Sequence, residues 1–307
     1  MIPKFSKKYN KSKRSCKIIY MLKKNNKIGS SLRIPKTLIL ITKFLAIISI
    51  KLLVAFLAKI FSKPMKYRIP KRELDMDHKS IQEKVFIPNI NRKIMVYHYG
   101  TASKKILLVH GWSGRGTQLF KIADELLKYG YSTLSFDAPA HGKSSGSYTL
   151  MPQFIEVILE LEKKFGSFYG AIGHSLGAMS LLNAVNKGLK LNRLIIIGSG
   201  DIIKDIIDDF IEKLTMKPEI GLLLQEYLEK KSGLEMNNFS SYKVAQSILI
   251  PVLIIHDQND DEVPVKCAIH IHKYLKQSTL LITQNLGHRK ILGDKKVIEK
   301  IIEFTIK

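Results

Sequence analysis

The residues best suited to chemistry in this sequence are a serine, a histidine and a small set of carboxylates, widely separated along the chain. The serine is Ser175, within Gly173-His174-Ser175-Leu176-Gly177, a G-x-S-x-G pattern. An apolar run at residues 168–172 leads in, and a helical pattern at 176–185 leads out. A strand-to-helix turn this sharp forces the serine into a strained backbone conformation. Flanking glycines remove the Cβ atoms that would collide there. The turn raises the serine oxygen above the sheet edge and puts the N–H of Leu176 at a helix N-terminus, where it can donate to an oxyanion. A glycine-flanked turn with an ordinary serine has the same five residues, so the pentapeptide needs partners.

A serine hydroxyl is a weak nucleophile until a base takes its proton, and the base needs a carboxylate to fix its tautomer. His288, in Leu286-Gly287-His288-Arg289, is the candidate base. It follows a glycine and lies in a loop after the last expected strand. It also comes third in the order Ser, Asp, His. The carboxylate is sought in His256-Asp257-Gln258-Asn259-Asp260-Asp261-Glu262-Val263-Pro264. Asp260 stands at a D-x-x-V-P spacing that suits a loop re-entering a helix at Pro264. Asp257 is the second candidate, while Asp261 and Glu262 read as solvated acids near a helix start. A carboxylate metal site is not expected, since the glycine turns and further ligands are missing. No cofactor is expected either. In His110-Gly111-Trp112-Ser113-Gly114, glycine allows close approach, and the N–H of Trp112, the sole tryptophan, is the second expected oxyanion donor. In the run from Phe136 to Gly146, Asp137 and His141 read as loop-ordering residues.

These residues need a scaffold. Short β runs alternate with helical patterns from about residue 84 onward: strands at 84–88, 94–99, 106–110, 131–136, 168–172, 193–199, 252–256 and 279–283, with helices at 118–128, 151–165, 175–187, 265–275 and 294–305. Repeated βα units imply an α/β class fold, a doubly wound and mostly parallel sheet. Functional groups then gather at the carboxyl ends of strands, where each candidate above falls. Residues 200–250 form an insertion with amphipathic patterns at 202–214 and 218–229, expected as a small helical cap. Leu222, Leu223, Leu224 and Tyr227 either face an acyl group or seal the cap onto the body.

The net charge of +24 is lopsided. Residues 1–72 hold 20 Lys/Arg and no Asp or Glu, leaving 30 Lys/Arg against 26 Asp/Glu for the rest. Residues 1–36 read as a disordered basic arm, able to meet anionic lipid or simply solvated. Residues 37–62 read as one hydrophobic or amphipathic helix, interrupted by Lys43, Lys51 and Lys59. The eight-residue spacing advances each lysine by about 80°, which favours a helix lying on a membrane or docked on protein. A membrane-spanning anchor is the alternative, at a cost of about 2.5–3.5 kcal/mol for a central Lys51. No small-residue cleavage site follows, so a cleavable signal peptide is not expected. The two cysteines, Cys16 and Cys267, show no motif spacing and fit a reducing, cytoplasmic setting. The folded α/β body, with its cap insertion, is expected to span residues 63–307. It lacks the basic and aromatic pattern of a nucleic-acid reader, so nucleic acid is not an expected partner.

Taken together, HGWSGRG, FDAPAHGKSSG, GHSLG, HDQNDDEVP and GHR resemble the α/β-hydrolase superfamily over roughly residues 65–307. The resemblance implies Ser175, Asp260 and His288 as a catalytic triad and the N–H groups of Trp112 and Leu176 as an oxyanion hole. It implies a serine hydrolase acting on a carboxylic ester or thioester through an acyl-enzyme, with no substrate specified. Ala140 departs from the family, which commonly has glycine at that point. A non-catalytic membrane-surface binder that retains the hydrolase shell is the rival reading.

Overall fold

The computed structural model describes residues 15–21 and 34–307. Nine strands among the described residues form one sheet: β1 (Ser15–Tyr20), β2 (Ile81–Ile87), β3 (Arg92–Tyr99), β4 (Lys105–Val109), β5 (Ser132–Phe136), β6 (Gly170–His174), β7 (Arg193–Ile197), β8 (Val252–Asp257) and β9 (Gln277–Thr283). Their order is β1-β9-β8-β7-β6-β4-β5-β3-β2. Only the pairings β2 with β3 and β3 with β5 are antiparallel. The rest of the sheet is parallel, as the alternating β and α patterns require.

The helices are α1 (Lys36–Ile48), α2 (Ile50–Phe61), α3 (Leu74–Lys79), α4 (Phe120–Lys128), α5 (Met151–Phe165), α6 (Leu176–Asn186), α7 (Ile203–Lys213), α8 (Glu219–Ser232), α9 (Ser241–Ala245), α10 (Lys266–Tyr274), α11 (Gly287–Lys290) and α12 (Lys295–Ile306). The central strands are apolar at nearly every position because both faces are covered. Leu107, Val109, Leu194 and Ile196 enter one buried cluster, shared with α5, α6 and α10. Ile106, Leu108, Ile195 and Ile197 enter the other, shared with α4 and α12. This alternation follows from the period of two along a strand.

Two expectations for the amino-terminal segment are corrected. Residues 15–20, expected within a disordered arm, are the edge strand β1, paired in parallel with β9 from Ser15 opposite Gln277 to Tyr20 opposite Ile282. The remainder of that arm, residues 1–14 and 22–33, lies outside the described residues. Residues 37–62 are also not one helix. The chain breaks at Ser49, in extended conformation with φ −165° and ψ 123°, which ends α1 and caps α2. Serine is a favoured N-cap because its side-chain oxygen accepts an otherwise orphaned N–H; here Leu52 donates at 3.4 Å. No helix among the described residues is long and apolar enough to cross a membrane.

Helix α2 is docked on the body. Leu53, Val54, Leu57 and Ala58 are buried, and Phe61 packs edge-on against Phe210 of α7 with ring centroids 5.2 Å apart. Beyond α2 the chain is fastened as a strap. Thr149 donates its N–H to the Ser62 carbonyl at 2.8 Å, and Met65 donates its N–H to Ser113 Oγ at 3.0 Å. Glu73, buried, accepts from Arg115 Nη1 at 3.0 Å and from Thr117 Oγ1 at 2.8 Å. Residues 200–250 carry α7, α8, a short 3-10 turn (Met236–Phe239) and α9. In α8, Leu224 is buried while Leu222 and Leu223 face solvent, so the four apolar residues do not act together.

Candidate active site

The loops after β4, β5, β6, β8 and β9 meet at one end of the sheet. Ser175 sits at the β6–α6 turn with φ 54° and ψ −122°. That sparsely populated conformation costs about 1–3 kcal/mol for a residue with a Cβ, and surrounding structure must hold it. Its N–H donates to the Ile197 carbonyl at 2.9 Å. The helix behind it lies hard against β4: a Cβ on Gly177 would sit 2.4 Å from the Val109 carbonyl oxygen and 2.5 Å from that of His110. Only glycine permits this packing, the reason sequence spacing suggested for the flanking glycines.

The loop after β4 passes directly over the serine. A Cβ on Gly111 would lie 2.8 Å from the Ser175 Cβ and 3.1 Å from His174 Nδ1. The next N–H is that of Trp112. Neither this N–H nor that of Leu176, the first residue of α6, is taken by another group among the described residues. Ser175 and Trp112 are both partly open to solvent.

His288 lies in α11, buried, with Nδ1 2.7 Å from Asp260 Oδ2. Asp260 Oδ1 accepts the N–H groups of Glu262 and Val263, each at 2.9 Å. Burial pushes the Asp260 carboxyl up, but His288, then the Val263 N–H and the nearby His256, outweigh it and hold its pKa below the ordinary value. Asp260 is therefore an anion at neutral pH, and Nδ1 of His288 is its donor. Nε2 remains as the basic nitrogen. Gly198, one residue past the carbonyl that holds Ser175, lies against the His288 ring; a Cβ there would be 3.2 Å from its Cε1.

Asp257, the second carboxylate candidate, has another task. Its Oδ2 accepts from Thr283 Oγ1 at 2.7 Å and from the Leu286 N–H at 3.0 Å, and its Oδ1 from the Asn259 N–H at 3.0 Å. It knits the β8 loop to the turn that carries His288. Glu262 is not a solvated acid: it pairs with Arg289 Nε at 3.0 Å and ties the same two loops.

Three further histidines shape the site, and residue spacing did not assign their contacts. His110 Nε2 accepts the Ala138 N–H, and its Nδ1 donates to the Gly111 carbonyl. His141 Nε2 accepts the Ser113 N–H, and its Nδ1 donates to the Pro139 carbonyl. Burial depresses their pKa values to about 4 and about 3, so both stay neutral as cross-ties between the loops after β4 and β5. His174 donates from Nε2 to the His288 carbonyl at 2.9 Å, and the two rings are 4.5 Å apart. Burial, and then the nearby His288, press its pKa well down. The signal for His174 was its place before the serine. Asp137 is the loop-ordering residue its position suggested, accepting the N–H groups of Gly116 and Lys143, each at 2.7 Å, and the Tyr97 hydroxyl at 2.9 Å. Ala140 adopts φ 65°, the left-handed conformation that glycine takes without strain.

A model of the alpha/beta hydrolase family matches residues 106–272. The chain is 23% identical over 246 residues to the AB hydrolase superfamily protein YisY of Bacillus subtilis, covering 65% of this chain and 90% of that one. Among solved structures, the esterase EaEST from Exiguobacterium antarcticum superimposes with TM-score 0.61 at 17% identity, over 74% of this chain and 100% of its own. The Pyrococcus furiosus esterase Pf2001 does so with TM-score 0.61 at 18% identity, over 79% of this chain and 95% of its own.

Proposed function

The chain belongs to the alpha/beta hydrolase family, and on that premise we propose that it is a serine hydrolase of carboxylic esters or thioesters. One observation carries the reading. An anionic Asp260 is bonded to Nδ1 of His288 in the same cluster of loops as a strained Ser175 and two uncommitted N–H groups. In the proposed reaction His288 Nε2 takes the Ser175 proton as Oγ attacks the acyl carbon. The carbonyl oxygen becomes the tetrahedral oxyanion, held by the N–H groups of Trp112 and Leu176. His288 then gives its proton to the leaving alcohol or thiol, and an acyl-enzyme remains. Water, deprotonated by the same imidazole, releases the acid and restores Ser175. His174 and Asp257 act as positioning residues, fixing the segment that carries His288. The fold likeness to two esterases supports this chemistry and leaves the acyl group unassigned.

The test is pre-steady-state hydrolysis of short p-nitrophenyl esters. Where deacylation is the slower step, a burst of p-nitrophenolate proportional to enzyme is expected, and Ser175→Ala should abolish burst and turnover while the melting transition is retained. A Ser175→Ala protein that hydrolyses these esters at the wild-type rate overturns the proposal.

A further inference from the structure

The surface left unexplained by the site is the outer face of α1 and the strap that follows α2. Helix α1 buries only Thr42. On the opposite side Leu40, Phe44, Ile47 and Ile48 are exposed, Phe44 to 64% and Ile47 to 86%. At 100° per residue these four share one face, with Lys36 and Lys43, both exposed, along its edge. Leu52 of α2 and Met65 and Tyr67 of the strap are exposed as well. A cluster of large apolar side chains in water marks a surface that another body covers.

Charge selects that body. No Asp or Glu occurs between residues 1 and 72, so the lysines around this face have no counter-charge within the segment. A twofold pairing of two copies through this face would set lysines against lysines. An anionic lipid surface instead takes the apolar side chains among its acyl chains and the lysines among its headgroups. We propose that α1, with Leu52 of α2 and the strap residues Met65 and Tyr67, docks this protein on an anionic membrane surface. One strap residue reaches the candidate site's loops: Met65 donates its N–H to Ser113, the neighbour of Trp112. The proposal stands independently of the hydrolase reading, since it concerns attachment alone.

The test is flotation of the full-length protein with vesicles of phosphatidylcholine and with vesicles of an equal mixture of phosphatidylcholine and phosphatidylglycerol. Binding to the mixed vesicles, weakened by salt, is expected, with much weaker binding to phosphatidylcholine. Phe44→Asp combined with Ile47→Asp should lower the partition coefficient at least tenfold. Lys43→Gln should lower it about fivefold, the effect of one lysine near an anionic surface. Both variants should keep the wild-type melting transition and the wild-type turnover of a soluble ester. Failure of the wild type to float, or flotation of the double variant equal to wild type, overturns the proposal. The latter would assign binding to the basic leader alone. A concentration-dependent dimer in light scattering that the double variant abolishes, without vesicle binding, would assign the face to a second copy and also overturn it.

Discussion

Around His288 the side-chain contacts are short and specific: Nδ1 on Asp260, the carbonyl on His174, and the preceding turn on Asp257. On the outer face of α1 the reverse holds, and Ile47 and Phe44 are exposed to water. The first region spends backbone strain at Ser175 and buried charge at Asp260, and a dense hydrogen-bond network supports both. The second has ordinary helical geometry and its unmet demand is apolar contact. The contrast separates two kinds of surface. A preorganised polar site is disrupted by changing one proton or one hydrogen bond. An adaptable apolar surface responds to total exposed area and charge.

The sharpest break in that contrast is Asp260→Asn. It leaves the shape of the loop but removes the anion on His288. A fall in kcat/KM on the order of 10⁴ is expected, the scale seen when a triad aspartate becomes asparagine. Asp257→Asn should show its main effect in stability, costing about 1–3 kcal/mol for a mismatched buried acceptor. Steady-state kinetics with urea titrations of both variants check the pair. Equal kinetic losses would contradict the division of roles.

Across α1 and α2, buried and exposed positions should differ as strongly. Leu53 is fully buried, and Leu53→Ala should cost about 2–5 kcal/mol of stability. Phe44→Asp, on the exposed face, should stay within about 0.5 kcal/mol of wild type. Chemical denaturation measures both, and a large loss for Phe44→Asp would mean that the outer face is packed rather than free.

Acid should act on the site region first. His110 and His141 titrate at about 4 and about 3 in the folded protein, against about 6.5 for an unfolded histidine. As pH falls the unfolded chain takes up protons before the folded one. The stability these two contribute is therefore complete above about pH 6.5, and is lost as pH falls toward 4 and 3. His110 alone accounts for about 3 kcal/mol of that loss. Urea midpoints at neutral pH and near pH 4 should show a clear drop, smaller in a His110→Gln variant that keeps its fold; midpoints independent of pH would contradict the neutral cross-ties.

The site loops and sheet were legible because each is a local signal: the glycines around Ser175, the apolar strand runs and the D-x-x-V-P turn announce themselves within a few residues. The choice of Asp260 over Asp257 was less so, since both stand after the same strand and only the tertiary fold shows which one His288 reaches. Edge strand β1 was not legible. Its partner Gln277–Thr283 is remote in sequence, and its six residues sit among lysines. The break at Ser49 was missed because apolar residues continue on both sides, although a serine between two such runs was the available N-cap signal. His110 and His141 lay in visible motifs, but their shared work as neutral acceptors depends on two loops meeting.

The most direct measurement is covalent labelling of the full-length protein with a fluorophosphonate, followed by mass spectrometry of the peptides. A single adduct on Ser175, absent in Ser175→Ala and strongly slowed in Asp260→Asn, is the predicted result. A folded wild-type protein that forms no adduct at Ser175, or that labels equally well without that hydroxyl, would contradict the account.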